Sequence, residues 1–229
     1  MDRIKMEARA KINLSLDVLS KRADGYHEVK MIMQTVELGD IVTIERITGG
    51  IEIECDSPWV PDNQSNIAYK AAKLLIDSFG INGGVKIKID KKIPVAAGMA
   101  GGSTDAAAVL KAMNKMFDLG INKNELMNLG KRIGADVPYC INGGTMLAEG
   151  IGEILTPLPS FDGVDILLVK PGIGVSTAWV YGNLNLAKIS DRPDTSGLIE
   201  SMGKGDIRSV AENMKNVLET VTISKYGVI

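Results

Sequence analysis

Residues 85–117 run without interruption from an alternating strand pattern, Val85-Lys86-Ile87-Lys88-Ile89, through a glycine-rich loop into an alanine-rich helical pattern. The loop reads Pro94-Val95-Ala96-Ala97-Gly98-Met99-Ala100-Gly101-Gly102-Ser103-Thr104. Its glycines, lacking Cβ atoms, let backbone N–H groups approach an anion closely. The helix predicted over 105–117 adds partial positive charge at its start, with Ser103 or Thr104 expected as N-cap and Asp105 favourable in the first turn. Phosphate is the ligand this arrangement suits, although the loop alone is equally compatible with a turn that only packs a helix on a strand. The spacing matches neither GxxxxGK[ST] nor GxGxxG, which argues against Walker-type NTPases and dinucleotide-binding Rossmann domains.

With 229 residues, 45% of them apolar, the chain can bury a core as one large domain or two small ones. A formal net charge of -2 without any Lys/Arg run argues against a nucleic-acid partner. No apolar block suits a signal peptide or a membrane span, so a cytoplasmic protein with no membrane partner is expected. Cys55 and Cys140 lack metal-ligand or disulfide spacing and are expected as core packing.

From residue 4 to 18 every even position is apolar and every odd one polar, the mark of a half-buried strand that displays Lys11 and Asn13 on its polar face. Strand patterns follow at 31–38, 41–46 and 51–55, separated by Gly39-Asp40 and Gly49-Gly50, so the first third is expected as an antiparallel sheet. Helical spacing occupies 66–79 with Gly80 as its stop, and 123–133 with Gly134 as its cap. The run 164–169, apolar except for Asp165, predicts a buried strand, and helix-like stretches follow near 196–202 and 207–218. A composition shift at 157–163 sets the expected boundary between an N-terminal ATP-binding domain, 1–158, and a partial C-terminal domain, 159–229.

The order of these pieces carries a more specific resemblance. Ala10-Lys11-Ile12-Asn13-Leu14, Arg22-Ala23-Asp24-Gly25-Tyr26-His27, the loop, Gly134-Ala135-Asp136-Val137-Pro138 and Ala148-Glu149-Gly150-Ile151-Gly152-Glu153 together resemble the GHMP kinase superfamily. The string at 22–27 narrows the resemblance to members that phosphorylate a cytidine-diphosphate-linked alcohol. It implies an α+β fold of two-layer α/β type, with a mixed or antiparallel sheet plus helices in the N-terminal domain and a second, smaller α/β domain. It implies ATP, with Mg2+ brought by the nucleotide, and a small-molecule cytidine diphosphate derivative as partner. The reaction would place a phosphate on that compound's 2-hydroxyl, a step of non-mevalonate isoprenoid precursor synthesis.

Carried across by position, Lys11 and Asp136 look like the catalytic pair. Asp136 would accept or orient the hydroxyl proton, and Lys11 would keep Asp136 ionised and offset charge at the γ-phosphate. Nucleotide contacts fall on Pro94, Val95, Ala96, Ala97, Gly98, Met99, Ala100, Gly101, Gly102, Ser103 and Thr104, with Asn66 on the adenine side. Ser103 and Thr104 are also candidates for touching Mg2+. Asn13, Tyr26, His27 and Tyr181 are the substrate-binding candidates, with His27 and the two tyrosines reading and stacking on a cytosine. From the residues alone, Lys11 is equally an exposed strand lysine, Asp136 a turn aspartate, His27 a solvent-facing turn residue, Tyr181 an ordinary aromatic and Asn66 a helix cap.

The family's members carry a third glycine-rich motif near the C-terminus. Nothing after Val164 supplies it, since Gly203-Lys204-Gly205 is too short. The chain is therefore expected to be a truncated form with weak or absent kinase activity. The readings that compete are a homoserine- or mevalonate-type kinase, which has no use for Tyr26 and His27 as base readers, and a non-catalytic nucleotide-binding protein of the same fold. No pattern specifies an oligomeric state or the metal's ligands.

Overall fold

The computed structural model describes residues 1–229, in two compact units interleaved along the chain. The first comprises Met1–Lys11, Val36–Val95 and Met99–Asn142, and the second Ile12–Thr35, Ala96–Gly98 and Gly143–Ile229. Two long strands, β1 (Arg3–Lys21) and β2 (His27–Ile47), supply residues to both.

In the first unit, β3 (Gly50–Cys55), α1 (Ile67–Phe79) and β4 (Gly84–Asp90) form a βαβ unit whose strands pair in parallel. The expected antiparallel sheet is thus mixed: β4 runs antiparallel to β2 over Ile41–Ile47 and parallel to β3, because a helix-length connection returns the chain in the same direction. Asn66 caps α1 by accepting the Ala68 N–H, and Gly80 ends it in the left-handed region. Then come α2 (Gly101–Met116), α3 (Lys123–Lys131) and α4 (Val137–Asn142). Ala68, Ala71 and Ala72 of α1 and Ala106, Ala107, Ala108 and Ala112 of α2 are buried where the two helices pack, and such small side chains permit close approach. Val85, Ile87 and Ile89 of β4 complete this core.

Two expectations about strands change. Gly39-Asp40 is not a turn, because β2 runs through it: Asp40 is fully buried and a Cβ on Gly39 would stand 3.1 Å from the Ala8 carbonyl oxygen. Between residues 4 and 18 the odd positions of β1 form a solvated face only at Lys5, Glu7 and Arg9, since farther along Lys11, Ser15 and Asp17 are all buried. Alternation in sequence identifies a strand, but whether its polar face meets water depends on what packs there.

In the second unit, β5 (Thr145–Gly150) pairs antiparallel with Val29–Gln34 of β2 and with β6 (Ile154–Pro157). Then follow α5 (Thr177–Asn183), a short 3-10 turn at Leu186–Lys188, α6 (Thr195–Gly203), α7 (Ile207–Asn213), β7 (Lys215–Asn216) and α8 (Glu219–Lys225). The helix expected over 207–218 therefore stops early, and its last residues pair in parallel with Ser15 and Leu16 of β1. Leu14, Ile32, Phe161, Leu198, Met202 and Val210 form this unit's core. The run 164–169 is not a buried strand: it is irregular, with Leu167 89% and Val169 83% exposed. Strand structure needs a ladder partner, and no strand of this chain pairs with it.

Candidate functional site

The glycine-rich loop is steered at its entrance by backbone hydrogen bonds to two carboxylates, the exposed Asp56 and the buried Asp40. Asp56 Oδ1 accepts the Lys91 N–H at 2.9 Å, and Asp40 Oδ1 accepts those of Lys92 and Ile93 at 2.6 and 2.8 Å. Beyond Pro94 the loop holds positive φ at alternate residues: Ala96 at 54°, Gly98 at 71° and Ala100 at 57°. For the two alanines this costs about 1–2 kcal/mol each, strain of the kind retained where backbone N–H groups must be aimed at a ligand.

The expected N-cap of α2 at Ser103 or Thr104 is not what forms. The helix begins four residues earlier than expected, at Gly101, behind a left-handed Ala100 and with no side-chain cap. Thr104 instead donates its hydroxyl to the Arg9 carbonyl at 2.8 Å and is buried. A side-chain cap would occupy the N–H groups that an anion needs, so an uncapped start in a glycine loop fits a phosphate by local chemistry. No group of three or more His, Cys, Asp or Glu residues is arranged to hold a metal ion on its own.

Lys11, on β1, donates its N–H to the Met99 carbonyl at 3.2 Å, so this strand lies along the loop. Asp136 immediately precedes α4 and accepts the Cys140 N–H through its carbonyl at 3.0 Å. A Cβ on nearby Gly134 would stand 3.9 Å from Ser103 Oγ, which sets this string beside the start of α2. The charges of Lys11 and Asp136 both act on Cys140. Burial first, and then the Asp136 charge, push the Cys140 thiol up to about 12, while Lys11 and Lys111 oppose them. Cys140 is thereby an inert packing thiol, and Lys111 donates to its carbonyl at 3.1 Å.

In the second unit, the turn at 22–26 is braced by Arg22, which pairs with Asp24 at 3.0 Å and Glu28 at 2.8 Å. Asp24 Oδ1 accepts the Tyr26 N–H at 3.1 Å, and Tyr26 is 58% exposed. The His27 and Tyr181 rings lie 5.1 Å apart at 36°. They touch each other, too close for a base to sit between them, so a base would stack on an outer ring face. Burial, then the Lys21 charge, hold the His27 imidazole below its usual pKa. The neutral ring, with one donor and one acceptor nitrogen, is thus favoured at neutral pH. Asn13 is half-buried on β1, and both ends of the Asn66 amide are engaged, with Ala68 N–H and the Pro61 carbonyl.

Sequence reasoning missed what lies under the loop. Lys91 Nζ bridges Asp40 Oδ2 and Asp105 Oδ2, the latter at 2.9 Å. Asp105 is a buried ion-pair member in the second turn of α2 rather than a first-turn partner of the helix dipole. The signal was faint: an acidic residue on the alanine-rich face of a helix that could only be buried. An open depression of about 400 Å3 lies at the other end of β4, lined in part by Arg46, Asn82, Gly84 and Phe117. Its one cation is committed, with Arg46 lying 4.5 Å over the Phe117 ring and donating to the Met116 carbonyl.

Residues 66–144 match the family model of the GHMP kinases N-terminal domain. The chain is 62% identical over its whole length to a 4-diphosphocytidyl-2-C-methyl-D-erythritol kinase from Acetivibrio thermocellus, spanning 81% of that protein. Its structure aligns with a crystal structure of 4-(cytidine 5'-diphospho)-2C-methyl-D-erythritol kinase at TM-score 0.78 and 31% identity, covering 98% of this chain and 79% of the other. A homoserine kinase from Cytophaga hutchinsonii aligns at TM-score 0.67 and 18% identity, over 94% of this chain and 72% of its own, a likeness of fold alone. The fold and loop are those of the GHMP kinases, and within them the chain belongs to the family of its 4-diphosphocytidyl-2-C-methyl-D-erythritol kinase relatives.

Proposed function

We propose that this protein transfers the γ-phosphoryl group of ATP, with Mg2+ carried by the nucleotide, to the 2-hydroxyl of 4-diphosphocytidyl-2-C-methyl-D-erythritol. The observation that carries this reading over a homoserine or mevalonate acceptor is the His27–Tyr181 ring pair beside exposed Tyr26, since such a surface suits a nucleobase, which homoserine and mevalonate lack.

The loop 94–104 binds the nucleotide phosphates through backbone N–H groups and the uncapped start of α2. Asp136 orients the acceptor hydroxyl and takes its proton. Lys11 keeps Asp136 ionised and offsets charge at the group being transferred. Phosphoryl transfer depends mainly on positioning and electrostatics, so the strained loop and the fixed Lys11 backbone supply as much as any proton transfer. Asn13, Tyr26, His27 and Tyr181 hold the cytidyl end, and the neutral His27 presents both a donor and an acceptor to the base edge.

The test is a steady-state assay of the purified protein with ATP, Mg2+ and the cytidyl acceptor. Asp136→Ala and Lys11→Ala are each expected to lower kcat by about 100-fold or more. His27→Ala should raise KM for the acceptor far more than for ATP. Turnover unaffected by Asp136→Ala would remove the mechanism, and equal rates with homoserine or mevalonate would remove the specificity.

A further inference from the structure

Three ionisable side chains with no part in the phosphoryl chemistry are buried together beneath the loop. Asp40 is fully buried, the Lys91 side chain is 7% exposed and Asp105 2%. Their bonds reach both ends of the loop. At the entrance, Asp40 Oδ1 accepts the N–H groups of Lys92 and Ile93, the two residues that lead into Pro94. At the exit, Asp105 is the fifth residue of α2, and its Oδ2 accepts from Lys91 Nζ at 2.9 Å. The ammonium joins the two carboxylates and lies directly under Gly101, where an added Cβ would stand 3.2 Å from Nζ. Asp105 Oδ1 has no hydrogen-bond partner.

Such a cluster is a poor investment in stability. Well-packed apolar residues of similar volume would hold the fold as well or better, because removing three charges from water costs more than their attraction returns. What ion pairs add, and apolar packing does not, is a set distance and direction. We propose that Asp40, Lys91 and Asp105 form a clamp that fixes the spacing between the entrance and exit of the glycine-rich loop, and so act as positioning residues for nucleotide binding. The nucleotide part rests on the reading of the loop as the ATP phosphate site, and the clamp itself rests on the bonds above.

Asp105→Ala is the informative variant, because it releases α2 while leaving Asp40 and Lys91 paired. Amide hydrogen exchange over residues 93–104 reads the clamp directly. ADP titration calorimetry and the KM values for ATP and acceptor read its consequence. Asp105→Ala is expected to speed exchange in the loop selectively. It should weaken ADP binding and raise the ATP KM about tenfold, the worth of one charge-assisted hydrogen bond, with the acceptor KM unchanged within about twofold. Asp105→Asn, which keeps an acceptor oxygen for Lys91, should recover most of the loss. If Asp105→Ala is too unstable to purify, Asp105→Leu, which fills the space with apolar bulk, carries the same test. Wild-type loop exchange and wild-type ADP affinity in the truncated variant would overturn the proposal, as would an asparagine variant no better than alanine. Failure of the unaltered protein to bind ADP would overturn the nucleotide reading instead, and the exchange data would then decide the clamp alone.

Discussion

Two segments of this protein, the glycine-rich loop and the turn at 22–26, are each held by one cation between two carboxylates, and the two settings differ in almost every physical respect. Under the loop, Lys91 sits between Asp40 and Asp105 with all three side chains no more than 7% exposed. At the turn that presents Tyr26 and His27, Arg22 sits between Asp24 and Glu28, and the three side chains are 34–48% exposed. Water screens the second triad and competes for its hydrogen bonds, whereas burial keeps water away from the first. On the proposed reading, the same charge pattern makes a rigid phosphate platform in one place and an adjustable base-reading turn in the other. Catalysis by positioning demands the former, because a displaced phosphate loses rate steeply. A turn that must let a base in and out is served by the latter.

The strongest way to break that comparison is to remove each cation. Lys91→Met leaves two buried carboxylates facing each other, and breaking a buried pair in this way typically costs about 3–5 kcal/mol. Denaturant unfolding should show a loss of that order. A loss no larger than that of Arg22→Gln would mean that burial does not distinguish the two triads.

A smaller effect, but a more specific one, is pH dependence. Burial first pushes the Asp105 carboxyl up to about 7, Lys91 pulls against that and Asp40 adds to it. The folded pKa lies above the unfolded value of about 3.9, so over that window the folded form keeps a proton the unfolded form has lost. The resulting stability is fully present below about pH 4 and disappears as pH rises through about 7. Asp105→Asn has no proton to lose there. Its melting temperature relative to the unaltered protein should therefore improve steadily from pH 4.5 to pH 8, an outcome checked by thermal melts across that range. A flat difference would mean that Asp105 titrates near its ordinary value.

How much of this could be read beforehand follows from the range of the interactions. The strand–loop–helix run, the Asn66 and Gly80 ends of α1 and the alternation of β1 are local patterns, and each appears in the structure. The Arg22 triad is local too, within seven residues, and its string carried the family resemblance. The Lys91 triad was not legible, because its members lie on β2, after β4 and in α2, and only the folded sheet brings them together. For the same reason Gly39-Asp40 resembled a turn. Its local chemistry is that of a turn, and the reason it stays in the strand is a tertiary bond from Asp40 to residues more than 50 positions away. The run 164–169 failed in the opposite way, since its apolar pattern asks for a ladder that no strand of this chain provides.

The weakest expected effect sharpens the comparison most, because it tests whether exposed charges hold anything at all. Arg22→Gln removes both ion pairs of the turn, yet the backbone bond from the Arg22 N–H to the Tyr26 carbonyl, at 2.8 Å, and the Asp24 bond to the Tyr26 N–H remain. The turn should keep its course, and the melting temperature should not move measurably. What is lost is the bracing of Glu28, the residue that follows His27. The KM for the cytidyl acceptor should rise by less than about threefold at low salt, and the rise should vanish at about 0.5 M salt, where screening has already dissolved the pairs in the unaltered protein. The KM for ATP should stay the same at both salt levels. An acceptor effect that survives high salt would show that the Arg22 triad holds its turn as firmly as Lys91 holds the loop, and the distinction between a fixed platform and an adjustable reader would fall.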